Sequence, residues 1–132
     1  MGLIIAIAAG GALGALARHY FAAQVSQLFG IGGFPYGIFA ANVLGSFLMG
    51  VLVEGLLRLN MQLPALDSPE LRGFLMVGGL GAFTTFSTFS LETVLLMERQ
   101  QYLLAGLYVL GSVLLSVSGL VFGLWMMRTL LT

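Results

Sequence analysis

Gly78-Gly79-Leu80-Gly81-Ala82-Phe83-Thr84-Thr85-Phe86-Ser87-Thr88-Phe89-Ser90 decides how this chain is read. The stretch sits inside an apolar run long enough to cross a bilayer, yet it is a poor helix. Glycine is unfavourable in a helix by about 1 kcal/mol relative to alanine, and β-branched threonines lose rotamer freedom against the preceding turn. A break here frees carbonyls at the end of one half-helix and N–H groups at the start of the next. Hydrocarbon tolerates such backbone only where it is buried in protein or lines a wet cavity. Carbonyls suit a hard cation and freed N–H groups an anion. A glycine kink with back-bonded threonines is the structural alternative.

The composition around this stretch forces the membrane reading. Of 132 residues, 59% are hydrophobic and 8% charged, the formal net charge is zero, and the mean hydropathy is +1.05. Soluble domains carry about 25% charged residues. The chain therefore lacks the polar residues to cover a water-facing surface, and the basic patch that nucleic acid requires. It contains no cysteine, which removes disulfides and thiolate chemistry. A spanning helix needs roughly 20 apolar residues. Four such runs are predicted, at about 3–29, 36–59, 71–97 and 102–131, forming one all-α transmembrane domain. No basic flank precedes Leu3, so the first run is expected to be a span and not a removable leader. The breaks are Gly30-Ile31-Gly32-Gly33-Phe34-Pro35, the polar stretch Arg58–Pro64 leading to Asp67, and Glu98-Arg99-Gln100-Gln101. Ser68-Pro69-Glu70 has the hydroxyl, proline and acid of a helix start. Trp125 and Arg128 are expected interface anchors. Arg58, Arg72 and Arg128 fall at one end and Arg99 at the other, a weak orientation signal.

Polar groups within the spans need partners or a wet path. Phe86 and Phe89 are three apart and share a face, with Phe83 expected on it too. Ring edges are electropositive, so beside Ser87, Thr88 and Ser90 they can hold a small anion. Asn42, followed by Ser46 and Gly50, is either an interhelical hydrogen bond or a pore group. In the fourth run Tyr108, Ser112, Ser116, Gly119 and Gly123 fall within ~80° of arc, a polar and small stripe. Gly10/Gly14, Gly11/Ala15 and Gly119/Gly123 are small residues four apart, fit for packing within one chain or between copies. Arg18 could snorkel to the interface or concentrate anions in a vestibule. His19 beside it reads as interfacial. Glu92, one turn past Thr88, could pair with an arginine.

No nucleophile–base–acid set, paired-carboxylate site or phosphate loop is present, so an enzyme is not expected. Asn, Ser, Thr and aromatic edges along a span make a conduction or binding path. A small dual-topology exporter of organic cations would want an acid in the first helix, where this chain has Arg18 and no acid before Glu54. A structural membrane module would tolerate replacement of Asn42 and the phenylalanine pair.

Three motifs carry a family resemblance. Gly10-Gly11-Ala12-Leu13-Gly14-Ala15-Leu16-Ala17-Arg18, Asn42-Val43-Leu44-Gly45-Ser46-Phe47-Leu48-Met49-Gly50, and the third-run stretch through Leu91-Glu92 occur in that order. Together they resemble the bacterial fluoride channel family (Fluc, also called CrcB), over essentially the whole chain. The resemblance implies an antiparallel, dual-topology homodimer in a bacterial inner membrane, with a third helix broken at mid-membrane and passive fluoride efflux that relieves fluoride toxicity. It implies fluoride contacts from Asn42, Phe86 and Phe89, a polar track of Ser87, Thr88, Tyr108 and Ser112, Arg18 near the vestibule, and Glu92 at the track end. It further implies a sodium ion held by carbonyls of Gly81 and Thr84 and shared between subunits. One departure stands out: the family often has Gly-Thr where this chain has Gly37-Ile38, so a vestibular hydroxyl is missing.

Overall fold

The computed structural model describes residues 1–30, 32–62 and 68–131. Ile31, most of the polar connector before Ser68, and Thr132 lie outside the described residues. Everything regular among the described residues is helical. Helix α1 runs Gly2–Phe29 and α2 runs Tyr36–Gln62. The third passage begins with α3, Pro69–Arg72, and continues through a π-helical segment, Gly73–Leu80, into α4, Gly81–Phe83. Helix α5, Phe86–Glu98, completes that passage, and α6 runs Tyr102–Leu130. Among the described residues, four stretches are long and apolar enough to cross a membrane: Gly2–Phe29, Tyr36–Arg58, Pro69–Glu98 and Tyr102–Leu130.

The third passage starts as its sequence dictates. Ser68 Oγ accepts the Leu71 N–H at 3.1 Å, Pro69 occupies the first helical position, and Glu70 sits in the first turn. The wider i→i+5 turns that follow contain two buried glycines, Gly73 and Gly78, packed on α1. After Phe83 the backbone leaves the helix. Thr84 (φ −81°, ψ 153°) and Thr85 (φ −151°, ψ 122°) are both extended, and the chain re-enters a helix at Phe86.

Small residues set the helix spacing. A Cβ on Gly14 would overlap the Gly79 carbonyl, and one on Gly123 would overlap the Phe47 carbonyl. The glycine pairs of α1 and α6 are thus used inside the chain, α1 against the π-helical segment and α6 against α2. Gly11 faces open space, with nothing within 4 Å of the place a Cβ would take. At one end of the α2–α6 pair, the buried Glu54 accepts Arg58 Nε at 3.0 Å and Arg128 Nε at 2.9 Å. A carboxylate removed from water needs such partners, and this pair ties the two helix ends together. Trp125, one turn before Arg128, is exposed and stacks on Phe122.

Gly14→Ala is expected to lower stability by about 1–3 kcal/mol, the usual cost of overpacking. Gly11→Ala should leave it unchanged. Thermal melting of the detergent-solubilised protein compares the two.

Candidate functional site

The site is built around Thr84 and Thr85, both extended, of which Thr84 still donates its N–H to the Leu80 carbonyl at 3.0 Å while Thr85 has left the helical pattern. In a continuous helix the Thr85 N–H would bond the Gly81 carbonyl. Here it donates instead to Asn42 Oδ1 at 2.8 Å, while Asn42 Nδ2 donates to the Thr85 carbonyl at 3.1 Å. One amide side chain from α2 thereby satisfies both backbone groups of an extended residue. Asn42 offers two N–H donors and this pairing uses one. Thr85 is also the N-cap of α5: its Oγ1 accepts the Thr88 N–H at 3.3 Å and lies 3.2 Å from both Ser87 Oγ and Thr88 Oγ1. Sequence spacing does not single it out as a hub. The available signal is a hydroxyl residue directly before the regular stretch that opens at Phe86.

A cavity of about 310 Å³ opens beside this junction. Its walls include Asn42, Ser46, Phe86, Phe89, Ser112 and Ser116. The side-chain oxygens of Ser112 and Ser116 are buried there without a hydrogen-bond partner. Phe86 and Phe89 do share a face, with ring centroids 5.5 Å apart. They differ in setting: Phe89 is buried, while Phe86 is 79% exposed. Phe83 does not join them. The extended pair Thr84–Thr85 breaks the helical register, and Phe83 turns instead toward Phe21 and Gly45.

A second cavity, of about 380 Å³, is lined by Arg18, His19, Ser26, Ile38, Thr88 and Glu92, among others. Arg18 and Glu92 thus meet at one cavity, from α1 and α5. Glu92 accepts the hydroxyl of Tyr108, which is fully buried on α6. Ile38, where the resemblance leads one to expect a hydroxyl, presents an apolar wall and packs in the cluster of Phe89, Leu96, Ala105 and Tyr108. His19 is exposed and meets Tyr20 edge-on at 5.4 Å. Ser87 is exposed beside the Thr85 hub rather than within either cavity wall.

Gly81 is exposed and Thr84 half-buried. Loss of the Thr85 N–H leaves the Gly81 carbonyl without its helical partner, and Thr84 is itself extended. Neutral carbonyl oxygens of this kind fit a hard cation. No cluster of three or more His, Cys, Asp or Glu that could hold a metal exists among the described residues.

Comparison with known proteins agrees with the motifs. The family model described as "CrcB-like protein, Camphor Resistance (CrcB)" matches residues 5–124. A protein of Rhodospirillum centenum named fluoride-specific ion channel FluC is 49% identical over 129 residues, 98% of each chain. Similarly named proteins of Phenylobacterium zucineum and Roseobacter denitrificans are 45% and 49% identical, covering 97% and 95% of this chain and 97% and 94% of their own.

Asn42→Ala should strand both Thr85 backbone groups, at about 1–3 kcal/mol for a buried group left unpaired. The Thr85 amide is then expected to exchange with solvent deuterium faster than in the wild type, while amides of α6 keep their rates.

Proposed function

The chain belongs to the CrcB family and is a fluoride ion channel, and we propose that its pore runs through the cavity of Asn42, Ser46, Phe86, Phe89, Ser112 and Ser116. The buried, unpartnered hydroxyls of Ser112 and Ser116 carry this reading. A buried polar atom without a partner is costly, and these two line a space large enough for an ion. The remaining N–H of Asn42 and the ring edges of Phe86 and Phe89 supply further partial positive charge.

Fluoride is small and strongly hydrated, so a pore must replace its water with donors. Neutral donors do this without the fixed cation that would trap the ion. Conduction requires binding firm enough for access and weak enough for release. From Ser112 in the first cavity the track passes Tyr108 to Thr88 and Glu92 at the second, with Ser87 beside it at the Thr85 hub, and Arg18 raises the local anion concentration at the second cavity. Nothing in this path oxidises, hydrolyses or phosphorylates. Flux is passive, down the fluoride gradient, and in a bacterial inner membrane it relieves fluoride accumulation.

We further propose an antiparallel, dual-topology homodimer. The exposed apolar side chains of Phe86, Val113 and Val117 at the rim of this cavity support a second copy as its cover. The weak arginine bias between the two ends is compatible with insertion both ways. The interruption at Thr84–Thr85 then falls at the bilayer midplane. There the Gly81 and Thr84 carbonyls of both copies would hold one sodium ion, which offsets the clustered carbonyl dipoles and locks the interface.

Purified protein in fluoride-loaded liposomes should release fluoride rapidly and chloride not at all. Asn42→Ala, which removes one hydrogen bond to the ion at about 1.5–3 kcal/mol, and Phe89→Ile, which removes a ring edge, should each slow release by roughly tenfold or more. Release no faster than from protein-free liposomes would overturn the assignment. Unchanged release in both variants would remove those side chains from the pore.

A further inference from the structure

Tyr108 lies between the two cavities without lining either as an open wall. It sits one helical turn from Ser112 on α6, and its ring packs on Phe89 with centroids 5.2 Å apart. Its hydroxyl reaches Glu92, a wall of the second cavity. Toward the start of α6 the surroundings become dry: Ile38, Leu96 and Ala105 form a buried apolar cluster with it, and Leu104 and Phe34 pack against that cluster. The next polar group one turn from Ser112 on this face is the Tyr108 hydroxyl, and it points to Glu92.

Phe34 makes that direction definite. It is delivered by the connector between α1 and α2, in which Gly32 (φ 96°) and Gly33 (φ 80°) adopt the left-handed backbone that favours glycine. Gly33 lies beside the Gln101 side chain, and Phe34 meets Tyr108 edge-on, at 5.6 Å and 85°. Gln101 is the residue that precedes the first turn of α6, and Tyr108 lies two turns further on. Gly33 and Phe34 thus meet the entry of α6 at Gln101 and its body at Tyr108. Phe39 and Phe89 flank the Tyr108 ring from α2 and α5. Phe34 is the ring that comes from outside the helices.

We propose that Phe34 is a positioning residue for fluoride passage: its ring, perpendicular to that of Tyr108, holds Tyr108 with the hydroxyl on Glu92, so the polar route from the first cavity bends into the second. Phe34 contributes no hydrogen-bond donor to the ion. Its effect on flux runs through the Tyr108 hydroxyl. The inference rests on the pore assignment above.

A double-mutant cycle on fluoride release tests it, with Phe34→Leu, Tyr108→Phe and the combined variant beside the wild type. Each single variant should slow release several-fold, and the combined variant should be no slower than Tyr108→Phe alone. Phe34→Leu keeps apolar bulk and removes the aromatic ring, and Phe34→Trp, which restores a ring, should recover most of the rate. Melting temperature is followed in parallel, because loss of packing alone would lower it additively in the combined variant without coupling the rates. Full release by Phe34→Leu or by Tyr108→Phe overturns the proposal, as do losses that multiply in the combined variant. A wild type that releases no fluoride would overturn the channel reading and this one with it; a conducting wild type with unaffected variants overturns this one alone.

Discussion

The structure depends on how two extended residues survive inside a span. Thr84 keeps its N–H bond to the Leu80 carbonyl, but Thr85 cannot use the i→i+4 pattern, and in hydrocarbon no water stands ready to replace it. Asn42 answers this by pairing with both backbone groups of Thr85, and Thr85 then caps the helix that follows. Because one asparagine holds the junction, the polar atoms collected there stay fixed. That is the preorganisation a selective ion path needs, since donors already in place do not have to be reoriented by the ion.

The surrounding architecture keeps that junction within reach. Glycine-mediated contact draws α1 onto the π-helical segment and α6 onto α2. The second contact brings Ser112 and Ser116 to the cavity beside Asn42. The Glu54–Arg58–Arg128 pairing fixes the far end of the same two helices. Cavity walls, backbone junction and polar stripe are in this sense one arrangement, held by small residues where helices approach and by charges where they end.

Much of this is legible in the residues. The length of the apolar runs gives the spans, and the Ser68-Pro69-Glu70 start is realised atom for atom. The stripe of Tyr108, Ser112 and Gly123 is the buried face of α6. Asn42 reads from sequence as either an interhelical bond or a pore group; its one amide engages the backbone and still borders the cavity, so the alternatives are not exclusive. What periodicity cannot reveal lies where periodicity stops. Helical spacing puts Phe83 with Phe86 and Phe89, and the extended threonines cancel that spacing. Glu92 finds Tyr108, sixteen residues on, because α5 and α6 pack side by side. Phe34 reaches Tyr108 from a glycine-rich turn, where no repeat in the sequence points to a partner.

The central claim is that neutral donors and ring edges around the Thr84–Thr85 junction pass fluoride selectively and without coupling to another ion. Current through the purified protein in a planar bilayer tests it most directly, with a fluoride gradient imposed against symmetrical chloride and equal pH. The expected reversal potential is the fluoride equilibrium potential, unmoved when a chloride or proton gradient is added. A reversal potential that follows chloride or protons would contradict the claim.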